Sequence, residues 1–446
     1  MDIPALMIQF NDWWKTGHVR KEQRKEKRRT LFTEIEKYLP DRQIIGITGL
    51  RRTGKTTLMY QLIDHLINNG VDPKNILYFS FDESIADQPD VMELLLENYK
   101  KLILKNDTER SYIFIDEVQY VDKWEAVVKR YYDLYPDMKF FVSGSASLQI
   151  KKAKESLVGR LYEFVLNPLN FRDFLVMKDM QLPDVVKDFD FKLFEQRYSD
   201  LFIQKDEIES LLHEYMMKGG FPEILEEESI EKIHRYLRTN TDKIIFQDIT
   251  NLFDIREPAL LMEIMKIIAS QCANVIDYQS FAGSLNVSRQ TVSNYILYLQ
   301  ESFLLRKMSN YTGSHLSSAR KAKKFYLQDH ALVNALLGFT DMVFPADYAG
   351  RIIENICVNH LASEHFWRKN YEVDIILNDG EIVPVEIKYR NDPTDIKGLE
   401  KFMSKFEIDT GVVITKDVLK VKAEVGEILF IPAWLFLSVF ERSDWE

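Results

Sequence analysis

The 446-residue chain is predicted to be an α/β protein whose N-terminal domain is a parallel sheet covered by helices. Short apolar runs alternate with stretches of helical apolar spacing, which is typical of parallel sheets with helices on both faces. One run, residues 112–115, is uninterrupted and ends in two carboxylates, as buried strands do at a ligand-binding edge. A glycine-containing loop at residues 49–56 joins the first run to a helix. The strand candidates are residues 43–47, 75–82, 111–118, 139–145 and 161–166.

Composition predicts a soluble protein of the cytoplasm. Apolar residues make up 46% of the chain, enough for packed cores, and the net charge is −11. No apolar run approaches the roughly 18 residues that cross a bilayer, and the N-terminus lacks the apolar region of a signal peptide. Cys272 and Cys357 are far apart and form no C-x-x-C pair, which indicates a reducing compartment. We expect no membrane contact, and an acidic chain of this kind does not coat nucleic acid.

The segment Gly49-Leu-Arg-Arg-Thr-Gly54-Lys55-Thr56 fits the pattern G-x-x-x-x-G-K-[ST] in the required strand–loop–helix order. Glycines let backbone N–H groups curl around phosphate oxygens, and the helix N-terminus adds the positive end of its dipole. Lys55 is expected to reach the β- and γ-phosphates of ATP, and the Thr56 hydroxyl to bind Mg²⁺. The strand and helix on either side argue against a chance turn. The predicted nucleotide-binding residues are Gly49, Arg51, Arg52, Thr53, Gly54, Lys55, Thr56 and Thr57.

Two carboxylates end the strand candidate at residues 111–118. Asp116 is expected to bind Mg²⁺ directly or through water, and Glu117 to polarise the attacking water. Ser143 or Ser145 is expected to contact the γ-phosphate or position water, or else only to form a turn. Arg160 is expected to supply a cation to the phosphates in cis, or in trans within a homo-oligomer, or to be a structural ion-pair partner. The predicted catalytic residues of this domain are Lys55, Asp116, Glu117, Ser145 and Arg160, with Thr56 and Asp116 as metal ligands.

These motifs together resemble the archaeal-type AAA-family ATPases of the additional-strand catalytic-Glu division, over about the whole chain. The resemblance implies a P-loop domain that hydrolyses ATP with Mg²⁺, and it gives Asp116 and Glu117 the roles of metal binding and water activation. It also implies a C-terminal domain of restriction-endonuclease type, which members of this group often carry. The motifs are the loop at 49–56, Asp116-Glu117, Val142-Ser-Gly-Ser145, Gly159-Arg160 with Asn167-Pro-Leu-Asn-Phe171, and Lys218-Gly-Gly-Phe-Pro-Glu223.

The sequence on either side of the P-loop domain differs from it in charge and in apolar pattern. Residues 15–29 hold eight Lys or Arg against two Glu, which is usually a solvated face and could instead be a helix on a phosphate backbone. Residues from about 170 to 260 are helical in pattern, which predicts a connector or lid without chemistry of its own. The predicted domains are residues 1–40, a basic helical segment; 41–170, the P-loop ATPase core; 171–260, the connector; 261–327, a winged helix; and 328–446, a nuclease-like domain.

Three helices and two strands predict the winged helix between residues 261 and 327. Ser288 is a good N-cap for its third helix, whose exposed start is where a recognition helix meets base edges and phosphates. We therefore expect DNA contact, the alternative being a winged helix used only for packing. The helices are predicted over 261–268, 278–285 and 289–300, and the wing strands over 303–308 and 324–327. The residues expected near DNA are Arg289, Gln290, Ser293 and Asn294, with a basic cluster of Arg320, Lys321, Lys323 and Lys324 beside the wing.

The last domain holds a second constellation of charges. Two strand candidates flank the turn at residues 378–380, and a three-residue loop there pairs Asp374 with Pro384. Asp374 then faces the same side as Glu386 and Lys388, whereas a two-residue loop would place it on the opposite face. Three charges on one side of apolar strands are costly unless they serve a metal or each other.

A D…E-x-K pattern on paired strands resembles the core of the PD-(D/E)xK nuclease fold, which also occurs in binding modules without activity. The resemblance implies that Glu354 from a preceding helix, Asp374 and Glu386 hold Mg²⁺, and that Lys388 acts in phosphodiester cleavage. The predicted function is a Mg²⁺-dependent ATPase that acts on DNA, with a C-terminal nuclease site. One alternative is an ATP-dependent switch or scaffold that binds nucleic acid or a protein partner without cutting. Another is a P-loop protein that regulates a protein partner.

Overall fold

The structure is a computed structural model, and it divides the chain into two compact units, Met1–Asn167 and Pro168–Glu446. No helix within the described residues is long and apolar enough to cross a bilayer. Both cysteines are buried and form no disulfide. The described residues are 2–81, 85, 88, 90–104, 109–145, 156–253, 255–313, 323–423 and 425–442.

The first unit is built on a five-stranded sheet in the order β2-β3-β4-β1-β5, in which every neighbouring pair is parallel. Alternate residues of the strands enter two separate apolar cores: Ile113 and Ile115 belong to one, and Phe114 belongs to the other. A sheet buried on both faces needs this uninterrupted apolar sequence, so the predicted α/β class is confirmed. The strands are β1 Ile44–Thr48, β2 Ile76–Ser80, β3 Ser111–Asp116, β4 Met138–Gly144 and β5 Leu161–Val165.

Strand order decides which loops meet at the carboxyl edge. β4 lies between β1, which leads into the loop at residues 49–54, and β3, which ends at Asp116. The end of β4, at Ser143 and Gly144, is therefore placed between them. The helices of this unit are α1 Ile3–Phe10, α2 Trp13–Thr16, α3 Lys21–Arg24, α4 Thr30–Glu36, α5 Lys55–Asn68, α6 Val91–Leu102 and α7 Trp124–Leu134, with 3-10 turns at Pro73–Asn75 and Val118–Tyr120.

The N-terminal segment covers the edge strand β2 with side chains that replace a neighbouring strand. The side-chain Oδ1 of Asn11 accepts a hydrogen bond from the Tyr78 N–H at 2.6 Å, and its Nδ2 donates one to the Tyr78 carbonyl at 2.8 Å. The indole N–H groups of Trp13 and Trp14 both donate to the Ile76 carbonyl. An open edge would leave these backbone groups unpaired, so the segment completes the sheet.

The Asn11→Ala variant is expected to lower the free energy of unfolding by about 1–3 kcal/mol, because it leaves both buried backbone groups of Tyr78 without a partner. Asn98→Ala removes an exposed side-chain bond to a helical carbonyl and is expected to change stability by no more than about 0.5 kcal/mol. Urea unfolding of the two variants beside the wild type measures both values. Equal midpoints for Asn11→Ala and Asn98→Ala would contradict the edge-covering role.

The basic stretch at residues 15–29 is engaged within the first unit at several points. Arg20 pairs with Asp12 at 2.6 Å, and Arg24 pairs with Asp64 of α5 at 3.3 Å. The Arg29 guanidinium donates to the Asn167 carbonyl at 2.7 Å. These arginines thus contribute to packing around the P-loop helix.

The second unit begins with helices and continues into a nine-stranded mixed sheet in the order β13-β14-β12-β11-β10-β9-β7-β8-β6. Its strands are β6 Val275–Ile276, β7 Leu305–Asn310, β8 Lys323–Leu327, β9 His365–Arg368, β10 Glu372–Asp379, β11 Glu381–Lys388, β12 Thr410–Thr415, β13 Lys420–Ala423 and β14 Glu427–Pro432. Its helices are α8 Phe171–Met177, α9 Phe191–Leu201, α10 Lys205–Lys218, α11 Ile230–Lys243, α12 Thr250–Leu252, α13 Pro258–Ser270, α14 Tyr278–Ser284, α15 Arg289–Glu301, α16 Ala331–Leu337, α17 Ala346–His360, α18 Lys397–Phe406 and α19 Ala433–Val439, with a π-helix at Ile244–Ile249 and 3-10 turns at Phe202–Gln204 and Pro222–Ile224.

Helices α13, α14 and α15 and strands β7 and β8 fall close to the ranges predicted for the winged helix. The Ser288 hydroxyl accepts from the Thr291 N–H at 3.0 Å, as expected of an N-cap. One expectation is wrong: Lys323 and Lys324 are buried in β8 and do not belong to an exposed basic cluster. All five residues of β8 are buried, and the strand lies between β6 and β7 in the sheet. Arg320 and Lys321 lie outside the described residues.

A single sheet crosses the predicted domain boundary between residues 327 and 328. β7 pairs in parallel with β9 through Ser309 with His365 and Asn310 with Phe366. The strands of the predicted wing and those of the predicted nuclease-like domain are therefore hydrogen-bonded neighbours, a long-range pairing that no local sequence pattern indicates.

The predicted register of the β10–β11 hairpin is wrong by two residues. Asp379 pairs with Glu381 around Gly380 alone, and Ile375 pairs with Val385. Gly380 has a φ of +93°, a conformation that glycine adopts without a side-chain penalty. A shift of two residues preserves the face of each side chain, so Asp374 lies on the same side as Glu386, as the longer loop would also have placed it.

Candidate functional site

The loop at residues 49–54 requires glycine at both of its ends. Gly49 has a φ of +140°, and a Cβ there would lie 2.2 Å from the Leu166 carbonyl oxygen. Gly54 has a φ of +99° and is the N-cap of α5. Inside the loop the buried Lys55 ammonium donates to the carbonyls of Gly49 at 3.0 Å and Leu50 at 2.9 Å. The loop therefore curls around the lysine, which holds a positive charge at the N-terminus of α5.

Asp116 joins the P-loop helix to the neighbouring strands. Its Oδ2 accepts from the Thr56 hydroxyl at 2.6 Å and from the Tyr78 hydroxyl at 2.9 Å, and its Oδ1 accepts from the Ser143 hydroxyl. Asp116 itself is buried. A buried carboxylate beside a hydroxyl at the start of a P-loop helix is an oxygen-ligand arrangement that suits a hard cation such as Mg²⁺.

Glu117 follows directly and adopts a left-handed backbone conformation with a φ of +57°. Its N–H donates to Asp116 Oδ1 at 3.1 Å and to Ser143 Oγ at 3.3 Å. The Gln119 amide donates to the Glu117 carboxylate and to Ser145 Oγ. Burial and the neighbouring Asp116 charge raise the pKa of Glu117 above its ordinary value, although Lys55 opposes the shift. Raised basicity of this kind suits a group that accepts a proton from water.

The two serines and the arginine predicted to serve this site differ in their contacts. Ser143, and not Ser145, contacts Asp116, while Ser145 is reached only through Gln119 within the described residues. Arg160 forms a two-point ion pair with Asp133 of α7, at 3.0 and 3.2 Å. These contacts match the structural ion-pair alternative stated for Arg160. The remaining predicted loop residues, Arg51, Arg52, Thr53 and Thr57, lie in or next to the same turn, and Arg52 has a φ of +66°.

In the second unit a lysine occupies the middle of the carboxylate cluster. The Lys324 ammonium lies 2.6 Å from Glu372, 3.0 Å from Glu354 and 3.6 Å from Asp374. Its side chain is 1% exposed and lies over the Phe366 ring. The Tyr326 hydroxyl donates to the same Glu354 oxygen at 2.6 Å. One buried cation thus lies against three carboxylates, of which Glu354 and Asp374 are largely buried and Glu372 is partly exposed.

The remaining charges of the cluster have their own partners. Asp374 Oδ2 accepts from the Ile387 N–H at 2.9 Å, and Lys388 donates to Glu386 Oε1 at 2.5 Å. Glu386 Oε2 is buried and has no hydrogen-bond partner among the described residues. Among the described residues no group of three or more Asp, Glu, His or Cys side chains is arranged to hold a metal ion. The assignment of Glu354, Asp374 and Glu386 as metal ligands stays a prediction.

Burial raises the pKa of both glutamates in this cluster. The pKa of Glu386 rises from 4.5 to about 8, with the Asp374 charge as the second cause and Lys388 opposing it. The pKa of Glu354 rises to about 7 for the same first two reasons, opposed by Lys324. A glutamate in the unfolded chain has a pKa of about 4.5. At pH values between 4.5 and the raised pKa, the folded protein therefore binds more protons than the unfolded chain. Stability is thus lost as pH rises through this window.

The Glu386→Gln variant is expected to flatten part of this pH dependence. The wild type should lose stability between about pH 5 and pH 8, by at most about 1.4 kcal/mol per pH unit from this one group, and Glu386→Gln should remove that contribution. Thermal unfolding midpoints of both proteins across this range measure the difference. Parallel pH profiles would contradict a neutral Glu386 in the folded protein.

Several residues of these sites were not found by sequence reasoning. Gln119 follows the Asp116-Glu117 pair by only two positions, so its spacing offered a weak signal. Lys324 and Glu372 offered none, because their approach depends on the pairing of β7 with β9. Arg29 donates to the Thr53 carbonyl at 3.4 Å, and its place in a run of basic residues concealed this contact.

Three family descriptions match consecutive parts of the chain. Residues 41–175 match an AAA domain. Residues 209–343 and 349–436 match two domains of unknown function, DUF8612 and DUF4143. The last two matches say nothing about activity.

Similar curated proteins cover most of the chain and are themselves uncharacterized. Two come from Methanocaldococcus jannaschii: one is 28% identical over 86% of this chain and 84% of its own length, and the other is 25% identical over 96% and 94%. One from Haemophilus influenzae is 25% identical over 86% of this chain and 87% of its own.

Similar solved structures are distant. They include AMPPCP-bound DnaA from Aquifex aeolicus, at 15% identity and a TM-score of 0.29 over 61% of this chain and 86% of that one. C. elegans PCH-2 matches at 15% identity and a TM-score of 0.23, over 42% of this chain and 50% of that one. The S. cerevisiae Hsp104:casein complex matches at 12% identity and a TM-score of 0.30, over 66% of this chain and 52% of that one. TM-scores this low carry no inference. The P-loop geometry and the AAA match agree on one conclusion: residues 41–175 are similar to an AAA domain and contain a P-loop.

Proposed function

We propose that this protein hydrolyses ATP with Mg²⁺ at the loop of residues 49–56. The observation that carries the proposal is the 2.6 Å hydrogen bond between the Thr56 hydroxyl and the Asp116 carboxylate, because it joins the phosphate-binding loop to the acidic strand end. Lys55 is held at the same point by two loop carbonyls. A nucleotide phosphate offers this ammonium stronger, charge-assisted partners than the carbonyls do.

Thr56 and Asp116 are the residues that fit Mg²⁺, since both present oxygen atoms at one point. A bound Mg²⁺ would neutralise charge on the β- and γ-phosphates. Ser143 keeps Asp116 in place through a hydrogen bond to the other carboxylate oxygen. Glu117 orients a water molecule and accepts its proton, and Gln119 fixes the direction of the Glu117 carboxylate.

The test is the Mg²⁺ dependence of phosphate release from ATP. Asp116→Asn keeps the shape of the side chain but removes its charge, so the Mg²⁺ concentration for half-maximal turnover should rise at least about tenfold, or turnover should be lost. Asp122→Asn, at an exposed position nearby, should behave like the wild type. Equal Mg²⁺ curves for Asp116→Asn and the wild type would overturn the site.

A second function, contact with nucleic acid, is favoured by the surface of α15. Arg289, Gln290 and Ser293 are exposed at the start of this helix, and the helix–strand–helix–helix–strand–strand order from α13 to β8 supports a winged helix. With Lys323 and Lys324 buried, the contact rests on the helix rather than on the predicted cluster. We propose that the start of α15 binds duplex DNA.

Fluorescence anisotropy with a labelled duplex tests this contact. Arg289→Ala should raise the dissociation constant roughly fivefold or more and reduce its salt dependence. Lys266→Ala removes an exposed cation of α13 and serves as the control. The same affinity for the two variants, or no binding by the wild type, would leave a protein partner as the better explanation of this helix.

A further inference from the structure

The carboxylate cluster of the second unit has the residues of a metal site but not the arrangement of one. Glu354 comes from α17, Asp374 from β10 and Glu386 from β11, and all three are largely buried. A buried carboxyl group is stabilised by a proton, by a metal ion or by a cationic side chain. The groups that lie against these carboxylates therefore decide whether a metal ion is needed.

Lys324 supplies a cationic side chain. Its ammonium is within 3.6 Å of three carboxylates, those of Glu354, Glu372 and Asp374, and two of these are residues that the sequence predicts as metal ligands. A lysine ammonium donates three hydrogen bonds and accepts none. The carboxylates of Glu372 at 2.6 Å and Glu354 at 3.0 Å lie within hydrogen-bond distance, whereas Asp374 at 3.6 Å contributes charge attraction alone. The lysine reaches this point from β8, past the Phe366 ring.

The neighbouring contacts hold the carboxylates in this arrangement. The Tyr326 hydroxyl donates to Glu354 and the Ile387 N–H donates to Asp374. The third expected ligand, Glu386, is paired with Lys388. An incoming metal ion would have to displace the Lys324 ammonium, which has little room to leave because it is 1% exposed.

We propose that Lys324 is a built-in cation that replaces the metal ion in this cluster, so that the second unit has a nuclease-like set of residues without metal-dependent cleavage. This inference is independent of ATP hydrolysis in the first unit. It predicts that the cluster has no affinity for divalent cations while Lys324 is present, and that removing the lysine creates a metal site.

Mn²⁺ binding, followed by the electron paramagnetic resonance signal of free Mn²⁺, tests the proposal on the full chain without nucleotide. All proteins carry Asp116→Asn, which removes the P-loop metal ligand. The parent should have no Mn²⁺ site in this cluster, so adding Asp374→Asn to the parent should leave its Mn²⁺ binding unchanged. Adding Lys324→Met to the parent should create a Mn²⁺ site in this cluster, and Asp374→Asn should remove it.

Two results would overturn the proposal. One is a parent protein that binds one Mn²⁺ per chain and loses it with Asp374→Asn, since Lys324 would then not exclude metal. The other is a folded Lys324→Met protein, judged by circular dichroism, that gains no Mn²⁺ site. Where Lys324→Met does not fold, the comparison of the parent with Asp374→Asn decides alone.

Discussion

Glu117→Gln is expected to bind ATP and to release phosphate about 10²–10⁴-fold more slowly than the wild type, the range for loss of a positioned general base. The amide keeps the size of the side chain and its contact with Gln119, but it cannot accept a proton from water. Lys55, Thr56 and Asp116 stay intact, so nucleotide binding is retained. Phosphate release under saturating MgATP, together with binding of a fluorescent ATP analogue, separates the two effects.

Glu125→Gln is the matched control, because Glu125 lies in the first turn of α7 and is not one of the residues assigned to the nucleotide site. It should leave turnover unchanged. Normal turnover in Glu117→Gln would show that another group activates water. Loss of ATP binding together with turnover would indicate damage to the loop rather than to the chemistry.

Lys324→Met is expected to lower the free energy of unfolding of the second unit by about 3–5 kcal/mol, because breaking a buried ion pair leaves uncompensated buried charge. The carboxylates of Glu354, Glu372 and Asp374 would lose their shared cation. Methionine fills a similar volume, so loss of packing adds little. Urea unfolding followed by tryptophan fluorescence measures the change.

Two comparisons isolate the charge. Lys422→Met breaks the ion pair with Glu400, in which the lysine is 35% exposed, and should cost no more than about 1 kcal/mol. Adding Glu354→Gln to Lys324→Met removes one of the stranded charges and should recover part of the loss. A Lys324→Met protein as stable as Lys422→Met would contradict the central position of Lys324.

Local patterns were sufficient to predict the strands, loop and helix that carry the candidate nucleotide site. The loop at residues 49–56, the strand end at Asp116 and the cap at Ser288 each depend on a few neighbouring residues, and the structure has them in the elements expected. The α/β class followed from the apolar runs, because a strand buried on both faces has few other sequences available. What local patterns did not provide was the contact of Gln119 with Glu117, which depends on the left-handed turn at Glu117.

Non-local pairing accounts for the rest. The position of Lys324 depends on β7 joining β9, and its charge suggested an exposed cluster until burial was known. The β10–β11 register differs by two residues, because Gly380 alone turns the chain. Asn11 completes the edge of β2 from more than 60 residues away in the chain, although its sequence position gives no sign of this.

Phosphate release from ATP by the wild type and by Lys55→Ala tests the central claim most directly. The wild type should turn over MgATP. Lys55→Ala should lose turnover by about 10²-fold or more, because it removes the cation directed at the phosphates. Lys101→Ala, which removes a lysine that is 73% exposed, should match the wild type. Equal phosphate release by Lys55→Ala and the wild type would contradict ATP hydrolysis at this loop.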